Sequence, residues 1–544
     1  MESTPANSNH QVETLTREVE ALRGRFTQLE RAYLDLLATN KNLERGILFQ
    51  GRERDLAGNV TLSILALMTG KNAPPPAPPP PPPPPDKGTV REHERAKPTG
   101  RKPLPEHLPR VDIEVLPPEV VQLGREAFEQ IGEDVTETVE RRPGSLVVVR
   151  IHKPKFILKE RAGQDTTRVL QAPPPELPIP RGLAGPALLA ETIVKRWADH
   201  LPLHRQERIF GRDGLELARS TICDWHAQLA ELATPLVDAM WKDALTAPFL
   251  CVDATGVLVQ APKKCRRGHF FVVAAPERHV LFGYSSDHNS AAVDGLLRGY
   301  KGYLVADAHT VYDHLYRSGA VVECGCWAHT RRYFFKSLGS DPERSRWALE
   351  RFSKLFAVER KQGKSPPETR LAERQRTSTA LVDEFFAWCA KESLLVLDET
   401  PISKAIQYAR NQEAALRQFL GDGRLPMHNN LSERELRREA VGRNNWTFLG
   451  SDEGGAVNAL FVSLIASCQH FDIEPAGYFR DLFCLLPGWN VKSILELSPL
   501  HWKATIARDD VCRLLDENVY RRISLGLHVP TVPAKHPPEK EPAP

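Results

Sequence analysis

A chain of 544 residues with 41% hydrophobic content is long enough for three or four structural units of about 150 residues each. Its formal charge of +3 is close to balance, which excludes a uniformly basic nucleic-acid coat and leaves any DNA footprint to local clusters. Nine cysteines in no even framework, no basic-then-apolar leader in MESTPANSNHQVE and no apolar run near the roughly 20 residues of a membrane helix predict a cytoplasmic protein without disulfides.

Residues 12–47 carry an unbroken heptad pattern, with Val12, Val19, Phe26, Tyr33, Asn40 and Ile47 on one seam position and Leu15, Leu22, Leu29, Leu36 and Leu43 on the other. Leucine at every d position and a single asparagine at a predict a parallel two-stranded coil over 10–50, and so a homodimer. Residues 74–85 are eleven prolines and one alanine, a polyproline II spacer of about 37 Å. The linker over 74–110 ends basic; its Arg101 and Lys102 suit a minor-groove arm or a solvated connection.

Residues 180–240 read as helices broken at Gly211-Arg212-Asp213-Gly214. Ile222 and Trp225 are spaced to pack inward. Two readings stand: a helix-turn-helix offering Arg219, Ser220, Thr221 and Asp224 to a major groove, or a helical pair bracing a core.

From 248 the pattern turns to strands. FLCVDATGVLVQ is a strand, HFFVVAAPERHVLFGYSS a hairpin turning at Pro276-Glu277-Arg278, and SAAVDGLLRGY a helix. GYLVADA is a strand, TVYDHLYRSG a helix and AVVECGC a strand. This order predicts three antiparallel strands followed by alternating helix and strand, with Asp253 on the first strand and Asp307 on the fourth. The 106 residues between Cys326 and Glu433 are too many for a simple connection, and their periodicity predicts a helical insertion over 336–424. A helical region follows over 451–525, then a proline-rich tail over 526–544 read as disordered.

Three acids stand out. Asp253 and Asp307 interrupt apolar, strand-length runs, where a carboxylate is costly unless paired or metal-bound. Glu433 opens a charged helical stretch. Two carboxylates from neighbouring strands and one from a helix suit a pair of Mg²⁺ ions in phosphodiester chemistry, with Mn²⁺ able to substitute. For Glu433 the bland alternative is a capping box with Asn430, three residues earlier. Arg434, Arg437, Arg438 and Arg443 crowd it, and Arg331 and Arg332 follow Cys326-Trp327-Ala328-His329; these arginines read as phosphate contacts. His329 and Trp446 are auxiliary candidates. Cys324 and Cys326 with His329 invite a zinc reading, but the set lacks a fourth ligand nearby, so no zinc is expected.

LPLHRQERIF at 201–210, GCWAHTRRYFF at 325–335, HNNLSERELR at 428–437 and GRNNWTFLGSDEGG at 442–455 together resemble the transposases of the insertion-sequence 66 family. The resemblance runs from about Gly100 to about Leu486, and one departure is His428 where the family usually has aspartate. It implies a DDE transposase whose Asp253, Asp307 and Glu433 are catalytic and hold the metals on a ribonuclease-H-like core over 248–335 and 425–450. It also implies DNA partners, the element's terminal inverted repeats and a target, with accessory proteins of the same element. Family members carry a cysteine zinc finger where this chain, over 111–165, has no cysteine, so a β-rich remnant without metal is expected. The expected fold is thus multidomain α+β: coiled coil, helical DNA-binding region, and α/β catalytic core with a helical insertion. The competing reading is an inactive, co-opted dimeric DNA-binding protein derived from a transposase.

Overall fold

The computed structural model describes residues 23–24, 104–106, 108–142, 144–158, 169–262, 264–528 and 532–533. The coiled coil, the proline tract, Arg101 and Lys102, and most of the tail lie outside the described residues. Beyond residue 103 the chain divides into two compact units, a helical one of 331–353 and 384–410 and a larger one holding the rest. The expected insertion over 336–424 is therefore shared between them. Together they make a mixed α+β fold with two sheets and many helices.

The larger unit's first sheet contains β1 (Arg110–Leu116), β2 (Phe128–Arg142), β3 (Ser145–Leu158) and β4 (Leu170–Gln171). Val-rich alternation forms it: Ile113, Val115, Val147, Val149 and Ile151 turn one face inward onto Val519, Tyr520 and Ile523 of the helix Val519–Ser524. The segment where a zinc finger was conceivable is thus held by apolar packing. Its one described histidine, His152, is paired with Asp112 at 2.9 Å.

The second sheet is built from β5 (Phe249–Val259), β6 (Arg266–Ala275), β7 (His279–Ser285), β8 (Gly302–Val305) and β9 (Val321–Cys324), in the order β7-β6-β5-β8-β9. The first three are antiparallel, and β8 and β9 run parallel to β5. The three antiparallel strands and the alternating helix and strand after them follow the element order the sequence predicts, with Glu277 in the left-handed region at the predicted hairpin turn. Phe270 through Ala275 are buried without a break, so both faces of β6 are covered.

The outer edge of β7 would leave backbone groups open, and a helix closes it. Ser463 and Ser467, one turn apart on the helix Asp452–His470, accept from the amides of Phe282 (2.7 Å) and Val280 (3.1 Å). The same helix explains the glycines of GSDEGG. Ser451 caps it by accepting from Gly454 N at 3.2 Å, and a Cβ at Gly455 would lie 2.6 Å from the Tyr284 ring. LPLHRQERIF becomes the helix Leu203–Arg212, whose buried Gln206 donates to the carbonyls of Thr192 (3.1 Å) and Leu201 (3.2 Å).

The helix Arg219–Ala244 follows, with a buried stripe from Ile222 to Ala244; at its exposed start stand Arg219 and Ser220, with Thr221 half-buried. In the helical unit, Phe334, Phe352 and Phe385 form the core, and Trp347 stacks on Trp388 at 4.3 Å. Among the described residues no single helix is long and apolar enough to cross a membrane.

Candidate active site

Asp253 sits near the middle of β5, opposite Val272 of β6, and its Oδ1 accepts from the amide of Ala254 at 2.8 Å. Asp307 is not on the fourth strand, as its sequence setting suggested, but two residues past the last paired residue of β8. Ala306 leaves the ladder, and the amide of His309 donates back to the carbonyl of Asp307 at 2.7 Å, turning the chain into Thr310–Tyr312. Cys251 of β5 and Val305 of β8 are the last pair of the parallel ladder, and each aspartate lies two residues beyond it on its own segment. Both carboxylates act on the buried Tyr312: burial raises its hydroxyl far above the usual range, and the charges of Asp307 and Asp253 raise it further.

Glu433 arrives on the helix Asn430–Trp446. Asn429 fastens the start of that helix to both neighbouring parts of the site. Fully buried, it donates from Nδ2 to the carbonyl of Val252 (2.8 Å), next to Asp253, and from its backbone amide to Cys326 Sγ (3.2 Å). The alternative reading, a capping box, does not form. Asn429, not Asn430, precedes the first helical residue, no side chain caps the helix, and Glu433 lies one position too far in to reach back. It faces His329 instead, Nε2 to Oε1 at 3.5 Å. His428, which stands where aspartate is usual, lies stacked over Phe356 at 5.9 Å.

The CWAH motif is now legible. Gly325 allows close approach to Leu416, whose carbonyl accepts from the indole of the buried Trp327 at 2.9 Å, and Trp327 N donates to Met427 O at 3.0 Å. Cys326 stands just before the first residue of the helix Trp327–Lys336. Burial pushes its thiol up, while the amides of Asn429, His329 and Ala328 pull it back and the charge of Glu433 raises it again. Cys326, His329 and Glu433 offer ligand atoms that all lie within 4.8 Å of one another, a grouping the sequence hid because Glu433 is remote in the chain.

The predicted phosphate contacts separate by role. Arg437 is exposed, one helical turn from Glu433, and Arg434 is exposed beside Glu435 at 3.2 Å. Arg438 is occupied by Glu435 (2.8 Å) and Gln469, and Arg443 by Thr255 Oγ1 (2.8 Å) and Gly256 O on β5. Those two hold the helix to its neighbours, a structural duty the sequence reading missed. Arg331 and Arg332 are exposed in the helical unit. Trp446 is half-buried under the Arg196 guanidinium at 5.3 Å, and it is followed by Thr447 in the left-handed region, where the helix ends.

Residues 181–457 match the family described as Transposase IS66 family. Three proteins of Sinorhizobium fredii are similar along most of their length. Uncharacterized protein y4hP is 30% identical over 445 residues, which cover 77% of this chain and 80% of the relative. Uncharacterized protein y4qI is 29% identical over 75% of this chain and 78% of its own, and uncharacterized protein y4jD 28% identical over 88% and 96%. With 277 of 544 residues inside the family match, the chain belongs to the IS66 family of DDE transposases, and membership implies action in DNA transposition, binding of DNA and use of a divalent metal.

Proposed function

We propose that the chain cuts the 3′ ends of an insertion sequence and joins them to target DNA, with Asp253, Asp307 and Glu433 as the metal-holding carboxylates on a ribonuclease-H-like core. The observation that carries this reading is the convergence on β5: the parallel register at Cys251 and Val305 leads to the two aspartates, and Asn429 fastens the glutamate's helix to Val252. The donor set fits hard divalent cations, since carboxylate oxygens suit Mg²⁺ and Mn²⁺. Bound there, a pair of such ions supplies nucleophile activation and leaving-group stabilisation for in-line displacement. The protein's part is to hold the carboxylates on rigid elements and to set phosphate against Arg434 and Arg437. Water serves as nucleophile in the first step and the freed 3′-hydroxyl in the second, with no covalent enzyme intermediate.

The element's own end sequence, carried on a plasmid, provides the test. Metal-stripped protein should retain the DNA without nicking it, and added Mg²⁺ should yield a 3′-hydroxyl nick at the element boundary. Cleavage that proceeds in the presence of a chelator, or that leaves a protein–DNA linkage, overturns the reading. Residues 12–47 are proposed to make the working unit a dimer. The co-opted, inactive alternative predicts end binding with no Mg²⁺-dependent product.

A further inference from the structure

Cys326 Sγ, a His329 ring nitrogen and a Glu433 oxygen lie within 4.8 Å of one another, and the histidine–glutamate pair is already at 3.5 Å. Zinc bonded at about 2.0–2.3 Å to tetrahedral ligands separates them by roughly 3.3–3.8 Å, so drawing in the widest pair by about 1 Å completes one face of such a site. The amides of Asn429, His329 and Ala328 ring the sulfur. Hydrogen bonds of that kind stabilise a metal-bound thiolate. The thiol is buried while the histidine and glutamate side chains are 17% and 27% exposed, and among the described residues the grouping supplies three of the four ligands a tetrahedral site takes. A thiolate and an imidazole favour Zn²⁺ over Mg²⁺.

We propose that Cys326, His329 and Glu433 form a three-ligand zinc site with an open fourth position, and that zinc bound there withdraws Glu433 from the magnesium pair and stops cleavage. On binding, the Cys326 S–H bond breaks, a sulfur–zinc bond forms, and the proton leaves to solvent, one per ion. The binding half stands on the geometry alone. The inhibitory half rests on the reading of Glu433 as a magnesium ligand.

The test uses the full-length chain, stripped with a chelator and titrated with zinc sulfate alone, and separately with cobalt chloride as an optical probe. One zinc per chain is expected, with release of one proton and, for cobalt, a near-ultraviolet thiolate charge-transfer band. Cys326→Ser should abolish that band, and Cys326→Ser and His329→Gln should each weaken zinc by more than about 100-fold, beyond what loss of an outer partner costs. Cys324→Ser, outside the triple, should leave both unchanged. Zinc that binds equally to Cys326→Ser, or cobalt without the thiolate band, overturns the site; should the serine variant fail to fold, His329→Gln at its partly exposed position decides. In Mg²⁺ cleavage reactions stoichiometric zinc should suppress product, and chelation should restore it. Zinc bound as described with undiminished cleavage overturns the inhibitory half and removes Glu433 from the magnesium pair. Zinc bound as described with no Mg²⁺ cleavage at all overturns the proposed function and leaves the zinc site standing.

Discussion

Replacing Arg374 should cost more stability than any other single change to a charged residue of the larger unit. The residue is fully buried and all five of its N–H groups are used. Nε and one Nη2 hydrogen reach Glu359 at 2.8 and 2.6 Å, Nη1 reaches the carbonyls of Phe419 and Asp422 at 2.8 and 2.9 Å, and the second Nη2 hydrogen reaches Leu425 O at 2.9 Å. It thereby holds the segment that runs into Met427, His428 and Asn429, and so sets where the Glu433 helix begins. Arg374→Met would leave the Glu359 carboxylate, only 17% exposed, without its guanidinium and would remove a donor from the carbonyls of Phe419, Asp422 and Leu425, of which Asp422 keeps the amide of Leu425 at 3.2 Å. Removing one member of a buried pair costs about 3–5 kcal/mol. Lysine brings the charge back but not the planar fork, so Arg374→Lys should recover little. Urea unfolding followed by circular dichroism measures the loss, and a double-mutant cycle with Glu359→Leu should return a coupling of about 1–3 kcal/mol. A loss below about 1 kcal/mol, or no coupling, would refute the assignment of this guanidinium as the anchor of the segment.

Three further outcomes follow from particular contacts. Ser463→Ala and Ser467→Ala each leave a buried β7 amide without its acceptor, which should cost about 1–3 kcal/mol and speed hydrogen exchange at Phe282 and Val280 respectively; unchanged exchange at both amides would contradict the edge-closing role. Gly455→Ala drives a methyl into the Tyr284 ring and should destabilise by roughly 1–3 kcal/mol in thermal unfolding, and a neutral result would mean the helix can slide to make room. Glu140 is fully buried, and burial raises its carboxyl to about 8 against the downward pull of the amides of Arg141, Leu188 and Ala187. A folded value above the ordinary 4.5 means the folded state holds the proton longer, so the stability tied to it is complete below pH 4.5 and is lost as pH rises through about 8. Glu140→Gln cannot ionise and should flatten that fall, which approaches about 1.4 kcal/mol per pH unit; identical pH slopes would remove Glu140 as its source.

The parts of this molecule that could be read from sequence are those whose signal is local. Asp253 and Asp307 announced themselves as acids inside or just beyond apolar runs, and the pattern around them gave the order of elements that build the second sheet. The exact end of β8 was not legible: the apolar run continues through Ala306 and β5 itself runs on to Val259, yet the ladder between them stops at Cys251 and Val305. The duties of Arg438, Arg443 and Arg374 were hidden for a related reason. An arginine in a charged run looks solvated until the fold brings Gln469, Thr255 or Glu359 against it. Asn430 looked like a cap because the spacing to Glu433 was right, but the helix starts one residue early, since Asn429 is held by Val252 and Cys326. Of the Cys326, His329 and Glu433 grouping the sequence showed only the cysteine and histidine, one helical turn apart, and hid the third member because Glu433 is far down the chain.

The most direct measurement is a parallel assay of DNA binding and Mg²⁺-dependent 3′-end cleavage on Asp253→Asn, Asp307→Asn and Glu433→Gln. The account predicts that each variant binds the element's end about as well as the parent and forms no cleavage product, because losing a ligand removes transition-state stabilisation rather than affinity for the duplex. Cleavage within about tenfold of the parent in any one of the three would take that residue out of the metal site and contradict the central claim.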